Sequence, residues 1–298
     1  MITILKSGVS GMIGHQQKVD NISHNISNVN TTGFKGSRSN FSDLIYQGKV
    51  QRGTPVAPDP ETGLLPQGGR GTYLTSTAMN LSTGIFKETG RSLDLAIEGE
   101  GFFGVELPDG SVNFTRSGSF NLVNLDEELR LVTSEGYIVE GDWDSVPLDP
   151  LDKVYEYVHI NSQGEIFLRE ARGHEETEEA AEGEDDVEEV PVEGIGETEE
   201  YEGVRLGQIY LYSFETPAGL SAQGGNLLAP TEASGDPVQG FPGEEGLGSI
   251  KQGVLESSNV NLIEEMSKLI LSQKYFQFNS RSVHLGDEMW AMANQLKR

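Results

Sequence analysis

Apolar residues recur at an interval of seven near both ends of the chain, and that spacing limits the possible folds more than any other feature. Leu5, Met12, Val19 and Ile26 mark one seam, with Ile2, Val9, Ile22 and Val29 beside it. Leu262, Leu269, Phe276, Val283 and Trp290 mark the other, widened in its first half by Ile263, Met266 and Ile270. A seven-residue repeat keeps a narrow stripe on one side of an α-helix, and such a stripe needs a partner to cover it. The polar Gln273, Ser280, Asp287 and Asn294 keep the second seam thin toward its end. Two such helices, separated by more than two hundred residues, are expected to form a coiled-coil-like pair that projects from the globular part. The alternative is that each packs as an ordinary core element on the domain between them.

Between the seams the signals change in order. Asn28, Asn30, Thr31, Thr32 and Gly33 end the first helix, because these residues favour turns and left-handed backbone. Repeated Gly and Pro from 48 to 72 read as an extended connector, which we place at 36–72. From Tyr73 to Tyr212 the period falls to two: Leu93, Leu95 and Ile97 alternate with Ser92, Asp94, Ala96 and Glu98, and turn pairs such as Asp109-Gly110 and Gln163-Gly164 separate similar runs. Near the end, Asn261 with Glu264 three residues later is a capping box for the second helix. The expected fold is therefore α+β and mainly β, with terminal helices at 1–35 and 255–298 and a central antiparallel β domain at 73–254. Inside that domain, 169–202 holds sixteen acidic and two basic residues, so it is expected as a solvated, self-repelling loop.

Several functions are disfavoured by composition. A formal charge of -26 and a pI near 4.4 oppose nucleic acid and anionic membranes, whose binding relies on Lys and Arg. There is no cysteine, hence no disulfide, thiolate metal site or cysteine nucleophile. Gly8, Gly11, His15 and Gln16 interrupt the start, which does not read as a Sec signal, and no run approaches the ~20 apolar residues that cross a bilayer. Gly99-Glu100-Gly101-Phe102-Phe103-Gly104 matches G-x-G-x-x-G, but Val105 to Gly110 read as strand and turn where a nucleotide site needs a helix. His15, His24, His159, His174 and His284 lack ligand spacing, and the acidic tract lacks the pattern of an EF-hand. No catalytic, cofactor or metal residues are assigned, and no enzyme is expected.

The residues that carry a family likeness lie at both ends and in the middle. Asn25-Ile26-Ser27-Asn28-Val29-Asn30-Thr31-Thr32-Gly33-Phe34-Lys35 resembles the N-terminal signature of flagellar basal-body rod and hook proteins, and Leu255-Glu256-Ser257-Ser258-Asn259-Val260-Asn261 resembles their C-terminal one. Asp94 to Phe103 and Phe114-Thr115-Arg116-Ser117-Gly118-Ser119-Phe120 resemble the β-domain motifs of the same family. Phe41 to Gln47 and the connector after it are similar to the distal-rod branch, while the acidic tract and Lys274-Tyr275-Phe276 depart from the usual pattern. The resemblance implies a self-assembling subunit of a hollow helical rod in the basal body. It also implies export through the flagellar type III apparatus, and contacts with neighbouring rod and hook proteins and with rings around the rod. Asn25, Asn28, Asn30, Thr31, Thr32, Gly33, Phe34, Ser258, Asn259 and Asn261 are the assembly residues carried over from its motifs. A proximal-rod or hook-type relative, or an acidic extracellular binding module, stay open as alternatives. In an isolated subunit the terminal helices are expected to be partly disordered, since their burial belongs to the assembly.

Overall fold

The computed structural model describes residues 2–44, 47–48, 67–69, 71–125, 128–144, 155–170, 204–244 and 246–296. The expected acidic loop lies outside the described residues from 171 onward, and the connector does so from 49 to 66. Contacts divide the chain into two compact units, Met1–Ile85 with Ser257–Arg298, and Phe86–Glu256.

In the first unit, helix α1 spans Ile2–Ser27 and helix α2 spans Leu262–Gln295, 26 and 34 residues. At 1.5 Å per residue they are about 39 and 51 Å long. The signals that end α1 and start α2 both work through backbone chemistry. Asn28 donates its N–H to the His24 carbonyl, and Gly33 turns the chain at φ +69°. Asn261 caps α2, its side chain accepting from the N–H groups of Ile263 and Glu264. The expected return bond from Glu264 is replaced: its carboxylate lies 2.8 Å from Lys268, one turn on.

Strands Ser37–Asp43 and Thr72–Met79 pair antiparallel in the same unit, with a bulge between Asn40 and Phe41. The sequence placed 36–72 in a connector and began the β domain at 73. The difference has a physical cause. Ser37-Arg38-Ser39-Asn40-Phe41-Ser42-Asp43 is too polar to announce a strand, and its partner lies some thirty residues downstream, beyond the reach of local pattern.

Among the described residues the strands of the second unit pair antiparallel, with one short 3-10 turn at Pro217–Gly219. Phe102–Glu106 runs through a nine-stranded sheet, pairing with Val112–Thr115, Ile138–Val139 and Leu211–Ser213. A four-stranded sheet orders Gly141–Trp143, Val204–Ile209, Glu165–Glu170 and Tyr155–Ile160. Alternate residues of these strands enclose one core, with Leu95, Phe103, Val105, Phe120, Leu131, Ile166, Leu168, Leu206 and Leu211 fully buried. The glycines of the G-x-G-x-x-G match serve a turn between strands: Gly99 and Gly101 have φ of +121° and +130°, and a strand follows them. Among the described residues no helix is long and apolar enough to cross a membrane.

A buried ion pair holds the last strand of this unit. Arg116, at the end of Val112–Thr115, donates to the Gly99 carbonyl at 2.7 Å and lies 3.4 Å from the Glu256 carboxylate, with its guanidinium 5.4 Å from the centre of the Phe102 ring. Burial pulls the Arg116 pKa down, and Glu256 opposes that pull. Removing one member of a buried pair strands the other in a poor solvent, at a cost of about 3–5 kcal/mol. Arg116→Met is therefore expected to destabilise this unit by several kcal/mol in urea unfolding, and Arg116→Met with Glu256→Leu to recover most of the loss. A single variant that melts like the wild type would show that the pair contributes little.

Candidate assembly surface

Short polar side chains join the segments around the helix ends. Asn25, buried near the end of α1, closes a pair of hydrogen bonds with the backbone of Ser37: its Nδ2 donates to the carbonyl at 2.8 Å and its Oδ1 accepts from the N–H at 3.0 Å. The same Nδ2 lies 3.3 Å from the Glu265 carboxylate of α2. Asn259, just before α2, accepts from the Gly36 N–H at 2.8 Å and donates to the carbonyls of Asn80 and Ser82 at 2.8 and 3.0 Å. Lys35 Nζ donates to that same Ser82 carbonyl at 2.9 Å. Backbone groups that would otherwise lack partners are thus satisfied by amides, which can donate and accept at once.

The helices run antiparallel, with Leu5 against Gly286 and Asn25 against Glu265. Small and polar residues line the seam between them. A Cβ on Gly8 would lie 2.8 Å from Val283 Cγ2, and one on Gly11 would lie 2.6 Å from Asn279 Nδ2. Glu265, Ser272 and Gly286 are the buried residues of α2. With Asn279 they form a column spaced by seven. A glycine inside a helix costs about 1 kcal/mol relative to alanine, so Gly8, Gly11 and Gly14 weaken α1 locally. What they permit is close approach: Gly8 takes Val283, and Gly14 takes the ring of Phe41.

On this face the expected zipping of two apolar seams is met only in part. Leu5 and Val283 do rest on glycines across the pair, whereas Leu262, Phe276 and Trp290 stay exposed beside it. A second apolar column, also spaced by seven, lies on the other flank of α2: Leu271, Phe278, Leu285 and Met292 are 54, 59, 59 and 57% exposed. At 3.6 residues per turn these two columns sit on opposite sides of the one that faces α1. Polar Ser267, Lys274, Arg281, Glu288 and Gln295 run between them on the outer side. Large apolar side chains left exposed in repeated columns are the kind of surface that association covers. The same seven-residue spacing that exposed the first seam carried this second one; its partly charged start at Glu264 concealed it.

The remaining motif residues have local roles. Asn28 Nδ2 donates to the His24 carbonyl at 3.0 Å, and its Oδ1 accepts from the Thr31 hydroxyl at 3.2 Å. Phe34 packs edge-on against His24, ring centres 5.5 Å apart, and Asn30 is exposed. Ser258 is buried, its hydroxyl accepting from the Val260 N–H at 3.3 Å. Thr32 lies beside Gly33 in the same turn. Met12, Val19, Ile26 and Leu269 are half-buried. In the first turn of α2, hydrogen bonding to Lys268 holds the Glu264 carboxyl below its usual value. Burial pulls Lys268 down, and bonds from Glu264 and Glu265 outweigh it and raise the amine.

Known proteins match this chain along its length. Three family descriptions fit it: "Flagella basal body rod protein" over residues 5–35, "Flagellar hook protein FlgE/F/G D1 domain" over 96–168, and "Flagellar basal body rod FlgEFG protein C-terminal" over 251–296. The flagellar basal-body rod protein FlgG of Borreliella burgdorferi is 38% identical over 298 residues, covering 100% of both chains. The protein of the same name from Agrobacterium fabrum is 34% identical, covering 98% of each, and that from Bacillus subtilis is 33% identical, covering 100% of each.

The helix pair is expected to depend on pH. His15 of α1 stacks on Tyr275 of α2 with ring centres 5.2 Å apart, and its Nδ1 is buried without a hydrogen-bond partner, as is Ser272 Oγ. Burial, then the charge of Lys18, lowers the His15 pKa from 6.5. Because the folded value lies below the unfolded one, the neutral ring's contribution is complete above about pH 6.5 and is lost as pH falls through the lower value. The helical signal is expected to melt at lower temperature at pH 5.5 than at pH 7.5, and His15→Gln to flatten that slope. An unchanged slope in the variant would assign it to other groups.

Proposed function

The chain belongs to the flagellar basal-body rod protein family, and from that membership we propose that it works as a structural subunit of the distal rod, polymerising into a hollow helical tube that transmits torque and passes exported subunits. One observation carries the mechanism: α1 and α2 close on small and polar residues, so that α2 keeps two apolar columns turned outward. A self-complementary patch on a twofold axis would close into a dimer. Two different flanks on one helix instead favour head-to-tail contacts, which need not close and so generate a helical filament. Full burial of a Leu or Phe side chain contributes about 1.5–3 kcal/mol, so half-exposed residues contribute on the order of 1 kcal/mol each when a neighbour covers them. Many such modest contacts per subunit give a stiff tube.

The partners in this reading are sister subunits, the neighbouring rod and hook proteins, rings around the rod, and the type III apparatus that exports the chain to the basal body. Nucleic acid and membrane insertion have no part in it. The junction held by Asn25, Lys35 and Asn259 fixes where the helices leave the neighbouring strands, which sets the angle at which a subunit meets the next.

Phe278→Glu and Leu285→Glu place a charge on the outward column without touching the α1 face. Each is expected to raise the critical concentration for polymerisation at least tenfold, about 1.4 kcal/mol, while urea unfolding of the β unit stays as in the wild type. Val238→Glu, a like change at an exposed apolar residue of the β unit, should leave polymerisation alone. Normal tubes from both helix variants at wild-type concentration would remove α2 from the contact.

A further inference from the structure

The β unit holds a cavity of about 240 Å³ lined by residues outside the terminal helices. Its walls include Glu106, Arg130, Glu140, Trp143, Tyr210 and Gln239. Three aromatic rings, Trp143, Tyr210 and Tyr212, stand there beside four planar polar groups: two carboxylates, an amide and a guanidinium. Cavities for drug-sized molecules run from roughly 300 to 1,000 Å³, so this one has room for a single small ring.

The walls are held in place. Trp143 lies against the backbone of two strands: a Cβ on Gly141 or on Gly207 would come within 3.2 Å of its indole carbons. Its Nε1 donates to the Val139 carbonyl at 3.2 Å, which fixes the plane of the ring. Tyr212, also in the lining, donates its hydroxyl to Glu140 in a short hydrogen bond. Burial first, and Glu140 second, push that phenol well above its ordinary range, so it remains a donor. Gly104 allows the approach, since a Cβ there would lie 2.5 Å from Tyr212 Cε2 and 3.0 Å from Glu140 Oε2. Glu106 and Gln239 are exposed at the same cavity.

This set of groups selects a class of ligand. A phosphate or carboxylate would meet two carboxylates against one guanidinium. A purely apolar molecule would leave the amide and carboxylates without partners, which is costly. A hexopyranose with equatorial hydroxyls meets both demands. Its axial C–H groups make a flat apolar face for an aromatic ring, and its neighbouring hydroxyls match the paired oxygens and N–H groups of carboxylate, amide and guanidinium. We propose that this cavity binds one hexopyranose ring of a glycan, stacked on the Trp143 and Tyr210 side and hydrogen-bonded through Glu106, Glu140 and Gln239.

The chain has two tryptophans, Trp143 and Trp290, so in the full-length Trp290→Phe protein indole fluorescence reports the cavity alone. Titration of the unpolymerised protein with cellobiose and with N,N′-diacetylchitobiose is expected to give a saturable change in the millimolar range with at least one of them. Glycerol at equal concentration should give none. Glu106→Ala and Gln239→Ala alter exposed positions and are expected to weaken binding at least tenfold, with circular dichroism confirming an unchanged fold. Saturation-transfer NMR on the sugar checks the same constants without the fluorophore. No saturable change with either sugar, or binding undiminished in both variants, would overturn the proposal. Neither result depends on whether the subunit polymerises.

Discussion

Glycine at the seam of the terminal helices is the constraint on which the assembly surface depends. Because Gly8 and Gly11 bring α1 against α2 at Val283 and Asn279, the pair is closed by backbone proximity and a few polar contacts. Leu5 and Val283 are used in closing it, but most large apolar side chains of α2 are not. They remain on both flanks of α2, at Leu262, Phe276 and Trp290 on one side and Leu271, Phe278, Leu285 and Met292 on the other. Had the seam been built from leucines, the pair would be more stable alone and poorer in surface for neighbours. The rod-family relationship and this division of labour point the same way: a subunit that reserves its greasiest residues for contacts outside itself.

The β unit follows a different rule. Its apolar residues alternate along strands and are spent inside, in a core where Phe103, Phe120 and Leu131 have no exposure. Among the described residues, buried Arg116 is paired with Glu256 and donates to the carbonyls of Ile97 and Gly99. Such a unit has its own core, and it carries the aromatic cavity beside Trp143.

Much of this was legible in the sequence because the signals are local. Seven-residue spacing gave both helices, Asn261 gave the start of α2, and turn pairs at Asp109-Gly110 and Gln163-Gly164 marked hairpins seen between Phe102–Glu106 and Val112–Thr115 and between Tyr155–Ile160 and Glu165–Glu170. What escaped was nonlocal or depended on smallness. Nothing in Ser37–Asp43 announces a strand until Thr72–Met79 returns to pair with it. Apolar spacing pointed to the flank of the helix contact, where Leu5 and Val283 lie, and missed its centre, since hydrophobic pattern reads Gly8, Gly11, Ser272 and Gly286 as gaps rather than contacts. Asn25 and Asn259 read as motif residues of an assembly; their hydrogen bonds also show them joining α1, the strand at Ser37 and the segment before α2.

The central claim, that the outward column of α2 is covered by sister subunits and not by its own chain, can be measured directly. The chain has no cysteine, so Leu285→Cys gives a single site for an environment-sensitive fluorophore, doped sparsely into unlabelled subunits. The emission should be that of a water-exposed probe in the free subunit and shift to the blue as tubes form, while a probe at Val238→Cys in the β unit keeps its emission. A probe at 285 that is already buried in the free subunit, or still in water within finished tubes, would contradict the account.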